Sequence, residues 1–349
     1  MKSITGINLI FHSICPGGGM ERYVIDIMTE FARKGIQVRG IARKAQWPGL
    51  KPVQIELVTI KDKTPFSRLN NLIFERIAHK QRNPSWPTIA ISRITQNADI
   101  AISGGTHIGH LHAKGKLPNG IFNKLAINHE KLLYKNAKKI ITHSKKVENE
   151  IINLYSQNPE RITTLYPPVD TKKFNQSTRK NRQKTRERLQ LTQNDIALFF
   201  PSNNHTLKGA NLILDTIDHY KMPIKLLVAG KSPLKHKKAI NLGHIKNIEE
   251  IYAAADATIL ASKYEAFGLV APESILCGTP VLLAKGIGAT EAITHPACIT
   301  FERTEESLQK AILSLSCNKK ITDITDIKYE CTLEHHASKI IEILTKINQ

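Results

Sequence analysis

Two carboxylates, Glu265 and Glu273, stand eight residues apart in the stretch Ser262-Lys-Tyr-Glu-Ala-Phe-Gly-Leu-Val-Ala-Pro-Glu-Ser-Ile-Leu-Cys-Gly-Thr-Pro-Val281. The pattern puts Glu265 on a loop and Glu273 in the first turn of a helix, where a negative charge is favoured. Gly268 permits close approach, and the amides from Ala266 to Leu269 are placed to bind oxygens. Such carboxylates accept hydrogen bonds from vicinal hydroxyls, which suits a sugar or a ribose. Upstream, Ser202-Asn-Asn-His-Thr-Leu-Lys-Gly209 follows a predicted strand and puts Lys208 at a helix start. The helix dipole disfavours a cation there unless an anion lies between. Lys208 therefore reads either as a diphosphate ligand or as an ordinary surface lysine.

Two glycine-rich turns come earlier. Cys15-Pro-Gly-Gly-Gly-Met-Glu-Arg22 separates the first strand from the first helix. Gly17, Gly18 and Gly19 suit backbone approach to an anion or simply a tight turn. Their contiguous spacing is not GxGxxG, and no acidic residue closes the second strand (Arg39-Gly-Ile-Ala-Arg43). No Gly-Lys-Ser/Thr follows, so neither a dinucleotide fingerprint nor a P-loop is present. In Asp99-Ile-Ala-Ile-Ser-Gly-Gly-Thr-His107 a second glycine pair ends a strand, where open α/β sheets bind ligands. His107, with His110 and His112, reads as an imidazole bonding phosphate or substrate, or as a structural histidine. A metal site is the weakest reading, because no carboxylate accompanies the three.

The elements that must position these groups alternate short apolar runs with amphipathic stretches, the signature of βαβ units and a parallel sheet. Strands are expected at Ile4–Phe11, Val38–Ala42, Asp99–Ser103, Lys139–His143 and Ile162–Tyr166, with helices over about 21–34, 124–135 and 147–155. Tyr166-Pro-Pro-Val-Asp170 breaks the periodicity, and a basic stretch, Thr171 to Leu189, follows. Beyond it the logic repeats: strands at Ile196–Phe200, Ile224–Ala229, Ala257–Leu260 and Thr279–Leu283, and helices at Leu207–Tyr220, Ile248–Ala255 and Ala271–Leu276. A last helix spans Leu333–Ile347. The expected domains are 1–168 and 169–330, with a C-terminal helical segment over 331–349.

The chain of 349 residues carries 50 Lys and Arg against 30 Asp and Glu, a formal charge of +20. Residues 1–175 hold 27 basic and 12 acidic side chains; residues 176–349 hold 23 and 18. That asymmetry favours an anionic partner on the N-terminal half: nucleic acid, an acidic membrane surface or a phosphorylated substrate. Nucleic acid is disfavoured, because aromatics are only 6% and no recognition motif occurs. No apolar run approaches the roughly 20 residues of a membrane span. The residues from Met1 to His12 read as a first strand and not as a signal peptide. Five scattered cysteines (Cys15, Cys277, Cys298, Cys317, Cys331) without CxxC spacing indicate a reducing compartment.

The Glu265-x7-Glu273 segment, with its Phe-Gly, Pro-Glu and Gly-Thr-Pro-Val neighbours, resembles the retaining nucleotide-sugar glycosyltransferases of family 4. Gly17-Gly-Gly-Met-Glu-Arg22, Ala137-Lys-Lys-Ile-Ile-Thr-His-Ser144, Tyr166-Pro-Pro-Val-Asp-Thr-Lys-Lys-Phe174 and Lys208-Gly209 resemble that family's elements in order, over nearly the whole chain. The resemblance implies an α/β protein of GT-B fold, two Rossmann-like doubly wound domains facing across a cleft, with the last helix returning to the first domain. It implies that Lys208 neutralises the donor diphosphate and that Glu273 holds the ribose. Glu265 would contact the donor sugar, with the amides of Phe267, Gly268 and Leu269. Gly18 and Gly19 would approach the diphosphate or the acceptor, and His107 joins Lys208 and Glu265 as a catalytic candidate.

The sequence departs from the family at Asn203, a donor-binding candidate where an Arg is usual five residues before the lysine, so either another basic residue compensates or the donor is bound more weakly. No Asp-x-Asp occurs, so no metal or other cofactor is expected beside the donor, a UDP-sugar. The implied reaction moves glucose or N-acetylglucosamine to a phosphorylated membrane glycan such as a lipopolysaccharide inner-core heptose. The expected location is the inner face of the cytoplasmic membrane. There Arg22, Lys131, Lys135 and Lys138 would meet acceptor or anionic lipid, within a run of seven lysines from Lys124 to Lys146. Another surface polysaccharide or glycolipid is the alternative acceptor. An epimerase or phosphorylase of the same shape, or a non-enzymatic basic binder of nucleic acid or membrane, is the alternative class.

Overall fold

The computed structural model describes residues 4–317 and 320–349, without the side chains of Ser316 and Cys317. The readings that involve residues 1–3 and the Cys317 thiol lie outside the described residues. Strands are β1 Gly6–Ile10, β2 Ser13–Ile14, β3 Gln37–Ala42, β4 Lys44–Ala45, β5 Ile55–Thr59, β6 Thr88–Ala90, β7 Ala98–Ser103, β8 Ala137–Thr142 and β9 Ile162–Thr164. They continue with β10 Ile196–Pro201, β11 Ile224–Ala229, β12 Ala239–Gly243, β13 Ala257–Leu260, β14 Val281–Ala284 and β15 Cys298–Phe301. Helices are α1 Gly19–Arg33, α2 Ser67–Ile77, α3 His107–Ala113, α4 Ile121–Asn136, α5 Lys145–Tyr155 and α6 Arg182–Arg188. After them come α7 His205–Lys208, α8 Ala210–His219, α9 Ile248–Ala254, α10 Val270–Leu276, α11 Glu305–Cys317 and α12 Leu333–Ile347.

The chain divides into two compact units. Unit 1 comprises Met1–Pro168 and Thr332–Gln349; unit 2 comprises Val169–Cys331. Unit 1 is built on a seven-stranded sheet in the order β5-β3-β1-β6-β7-β8-β9, parallel throughout. Sequence order reverses between β1 and β6. α1 buries Tyr23, Val24, Ile27, Met28 and Phe31, spaced so that one stripe faces inward. Gly35, at φ +80°, follows the last turn and lets the chain reverse into β3. α12 packs beside α1 and contributes Ala337, Ile340 and Leu344, each fully buried in the same core. The Tyr23 hydroxyl bonds His336 Nε2 at 3.0 Å, and His336 Nδ1 lies 3.0 Å from the Tyr166 carbonyl.

Unit 2 is a six-stranded sheet in the order β12-β11-β10-β13-β14-β15, again parallel. Its turnover point lies between β10 and β13. β13 and β14 are buried at every position, which explains why they read as unbroken apolar runs rather than as alternation. The basic stretch before β10 is ordered structure: Arg182 and Arg186 both bond Asp256, whose Oδ2 also accepts the Ala197 amide at 2.8 Å. Part of the chain's positive charge is thus consumed inside unit 2.

The expected single helix Leu207–Tyr220 is two. Gly209, at φ +81°, separates α7 from α8, and a Cβ there would stand 2.1 Å from the Ala261 carbonyl oxygen. Steric contact of backbone on backbone, and not helix propensity, sets this break. Strands β2, β4, β5, β6, β12 and β15 and helices α2, α3 and α11 carry too short or too mixed a pattern to be expected from periodicity.

Candidate active site

In an open parallel sheet, ligands bind outside the carboxyl ends of the strands where the strand order reverses. In unit 2 that place is formed by the loop and turn after β10, which carry Lys208, and the loop after β13, which carries Glu265. The two side chains form an ion pair there, 24% and 21% exposed. Lys208 therefore ends a one-turn helix instead of starting a long one, two residues ahead of α8. Asn204 caps that turn by accepting the Leu207 amide at 3.0 Å, and the Leu207 carbonyl in turn accepts the Lys263 amide at 2.9 Å. The close seat of Gly209 on Ala261 fixes the lysine against the Glu265 loop.

The remaining unit 2 candidates fall around this pair. Gly268 takes φ +98°, and a Cβ on it would come within 3.2 Å of Glu265 Cγ. Among the described residues, no acceptor is bonded to the Gly268 or Leu269 amides, so both donors remain available at the head of α10. Phe267 is 4% exposed, its carbonyl holding the Ala289 amide at 2.9 Å. Ser262, buried at the end of β13, has an Oγ without a hydrogen-bond partner among the described residues. Glu273 is set apart from the open pair: it is 1% exposed, and its Oε2 accepts the Tyr252 hydroxyl at 2.7 Å. Contact with a ribose would have to coexist with that buried bond.

At Asn203 the side-chain oxygen accepts the Lys231 amide at 3.1 Å, which brings the residue after Gly230 to the same sheet edge. Arg303, arriving from the end of β15, donates Nε to the Ala261 carbonyl at 3.1 Å. These two cations were not singled out by sequence. They follow strands whose ends converge only in the folded sheet.

In unit 1 the exposed glycines Gly17, Gly18 and Gly19 have ordinary backbone angles, none in the left-handed region. Gly18 caps α1, and Glu21 folds back over it: a Cβ on Gly18 would meet Glu21 Oε2 at 3.1 Å. A side-chain carboxylate already sits where an incoming anion would meet the helix end. Arg22 is half-buried on α1. His107 opens α3, its amide donating to Glu130 Oε2 at 2.9 Å and its Nε2 lying 3.2 Å from Asn123 Oδ1. Burial lowers the His107 pKa, with the Asn123 contact opposing. Among the described residues, no group of three His, Cys, Asp or Glu side chains is arranged to hold a metal.

The seven lysines do not form one surface. Lys124, Lys131 and Lys135 line one exposed face of α4, but the chain then turns into β8 at buried Ala137. Lys138 pairs with Asp99 at 2.7 Å, Lys139 bonds the Glu160 carbonyl, and Lys145 pairs with Glu148. Lys138 differs from Lys131 and Lys135 in having a local carboxylate partner, while its side chain stays exposed.

Sequence reading also missed the polar cluster at the reversal point of unit 1. Glu75 on α2 is fully buried and bonds His12 after β1, His129 on α4 and Arg93 after β6. Burial alone would raise its pKa; the bonds from both histidines and the Arg93 charge outweigh that and hold the carboxyl at about 2. Glu130 is pushed up to about 7 by burial, against the bonds from Tyr155 and the His107 amide.

Residues 17–173 match the family described as Glycosyltransferase Family 4, and residues 181–324 match that described as Glycosyl transferases group 1. A probable transglycosylase of Burkholderia thailandensis is 33% identical over 301 residues, 84% of this chain and 82% of that protein. D-inositol 3-phosphate glycosyltransferase 1 of Catenulispora acidiphila is 24% identical over 324 residues, covering 79% and 76%. Among solved structures, WaaG, a glycosyltransferase involved in lipopolysaccharide biosynthesis, matches with a TM-score of 0.78 at 17% identity, over 97% of this chain and 99% of that one. HepE of Anabaena, in complex with UDP and glucose, matches at 0.74 and 17%, over 98% and 100%. The fold is GT-B. With both family regions matched in order and the bacterial relative covered over most of its length, the chain belongs to the group 1, family 4 glycosyltransferases.

Proposed function

We propose that the protein transfers a hexosyl group, glucose or N-acetylglucosamine, from a UDP-sugar to a hydroxyl of a lipopolysaccharide inner-core heptose, with retention at the anomeric carbon. The observation that carries the reading is the Lys208–Glu265 pair at the reversal point of unit 2, beside the unoccupied amides of Gly268 and Leu269. A diphosphate entering there exchanges Glu265 for its own oxygens as the partner of Lys208. Lys231 and Arg303 supply the charge that Asn203 does not. Glu265, released from the lysine, accepts from sugar hydroxyls, and the ribose reaches Glu273 at the head of α10.

In the step itself the bond from the anomeric carbon to the β-phosphate oxygen breaks. The acceptor oxygen bonds that carbon on the same face, and the acceptor proton passes to the departing diphosphate. Lys208 and the two amides are aimed at the charge that develops on the leaving group. His107 orients a substrate hydroxyl, and no divalent metal takes part. HepE, of the same fold, is described with UDP and glucose, and WaaG is described as acting in lipopolysaccharide biosynthesis. We place the protein at the inner face of the cytoplasmic membrane: the Lys124, Lys131 and Lys135 face of α4 lies beside exposed Ile121, a pairing that suits an anionic bilayer. No helix among the described residues is long and apolar enough to cross a membrane. The second reading is transfer to another surface polysaccharide or glycolipid, favoured by the relative named as a probable transglycosylase.

Calorimetric titration with a panel of nucleotide sugars tests the donor. Selective binding of a UDP-sugar that Lys208→Met abolishes supports the reading, and transfer to truncated core saccharides then separates the two acceptors. Equal binding by wild type and Lys208→Met, or none at millimolar donor, sinks it.

A further inference from the structure

A pocket of about 140 Å³ opens in unit 1 between α2, α4, the start of α3 and the loop after β6, with Arg68, Asn71, Arg93, His107 and Asn123 contributing its polar lining. Its polar inventory is one-sided. Arg93 commits its Nε to Glu75 at 3.0 Å, and its other two guanidinium nitrogens have no partner among the described residues. The Arg68 guanidinium, exposed at the rim, has none either. Asn71 presents its oxygen to Arg43, which leaves the amide NH₂ as its remaining polar group. Asn123 engages both ends, Oδ1 with His107 and Nδ2 with the Asn119 carbonyl at 2.8 Å. Apart from the second ring nitrogen of His107, every uncommitted group is a hydrogen-bond donor. That matches a ligand that only accepts.

The anion of the cluster cannot answer this demand, because Glu75 is fully buried behind the pocket and saturated by His12, His129 and Arg93. A buried carboxylate held below its usual range acts here as an anchor: it fixes one edge of the Arg93 guanidinium and leaves the other edge for a bidentate acceptor. The volume is enough for one tetrahedral oxyanion with accompanying water. We propose that this pocket is a phosphate-monoester subsite that selects phosphorylated acceptors. Arg93 and Arg68 clamp the phosphate, and the sugar or lipid that bears it lies outside. The inference rests on the transferase reading above for the word acceptor; the phosphate binding itself does not depend on it.

The test is titration with inorganic phosphate, glucose 6-phosphate and glucose in a Lys208→Met background, which removes the lysine of unit 2 as a phosphate ligand. The phosphates are expected to bind and glucose not, and Arg68→Ala and Arg93→Met are each expected to weaken phosphate binding about tenfold or more. Arg68 is exposed and unbonded, so an unchanged thermal midpoint in Arg68→Ala certifies the fold. Phosphatidylcholine vesicles containing phosphatidic acid or phosphatidylglycerol identify the source. Preference for phosphatidic acid that Arg93→Met removes points to a lipid-borne monoester. Binding of glucose 6-phosphate without that preference points to a free sugar phosphate. Absence of phosphate binding in the background variant, or affinities that neither arginine alters, overturns the subsite. Failure of the wild-type protein to bind any UDP-sugar, with phosphate binding retained in the Lys208→Met background, would instead overturn the transferase reading and leave the subsite standing.

Discussion

At the reversal point of unit 2 a lysine and a glutamate meet partly exposed, each available to be displaced by a ligand. At the equivalent place in unit 1 the carboxylate is buried under two histidines, and the arginine bonded to it keeps two nitrogens uncommitted. Both parallel sheets reverse their strand order at such a point, and the charges there are arranged in opposite ways. In unit 2 a ligand must compete with an internal anion, so affinity tracks the strength of that pair. In unit 1 the internal anion has been withdrawn, so the cation is presented directly. An exposed pair is easily exchanged; a buried anchor holds geometry.

The largest effect expected from this contrast is on Lys208. Lys208→Met should lower kcat/KM for sugar transfer by about 10²–10³, as for removal of one group aimed at developing charge. Glu265→Gln should separate two readouts: inorganic diphosphate binds more tightly once its competitor is neutral, while transfer falls. Tighter diphosphate binding that fails to appear would show the pair is not displaced. Gly209→Ala comes next, because a methyl group collides with the Ala261 carbonyl in a left-handed conformation. A loss of about 1–3 kcal/mol is expected, read as a lower urea midpoint together with weaker donor binding.

The buried acids of unit 1 give a pH test. Glu75, held at about 2 when folded against 4.5 when unfolded, contributes stability above pH 4.5 that disappears as pH falls toward 2. Glu130 acts in the other sense. Folded, it keeps its proton to about pH 7 while the unfolded chain releases it near 4.5, so folding becomes less favourable between those values. Glu130→Gln should therefore add on the order of 1–3 kcal/mol at pH 8 and nothing at pH 4; denaturation curves with the same difference at both pH values would refute this. Tyr23→Phe strips buried His336 of its hydroxyl partner and should cost about 1 kcal/mol, seen as a lower thermal midpoint. The smallest effect concerns vesicles: Lys131→Ala and Lys135→Ala should each weaken binding by about 1 kcal/mol, and Lys138→Ala, already matched by Asp99, by much less. Equal losses for all three would restore the single-surface picture.

What the sequence made legible follows from the range of the forces involved. The helices α1 and α12 and the strands β10, β11 and β13 are set by local periodicity, and α12 is read at both ends as the structure has it. The GT-B fold was legible through the Glu265–Glu273 block, a local pattern. The break at Gly209 was not, since its cause is the Ala261 carbonyl, more than 50 residues away. Glu75 was invisible for the same reason: its partners at 12, 93 and 129 share no spacing, and only the sheet order brings them together. Asn203 was noticed as a departure, but Lys231 and Arg303 could be found only from strand ends.

The placement of α12 bears on how the molecule is made. The fully buried side chains of Ala337, Ile340 and Leu344 complete a core whose other walls are synthesised long before, while the whole of unit 2 intervenes. On the ribosome, the flank of α1 that α12 covers therefore stays open until unit 2 has been translated, although the sheet of unit 1 already lies against the rest of the stripe. Vectorial synthesis normally favours the N-terminal domain. Here the core of that domain is completed only by α12, so a nascent chain arrested within unit 2 lacks the Ala337, Ile340 and Leu344 side chains that fill it.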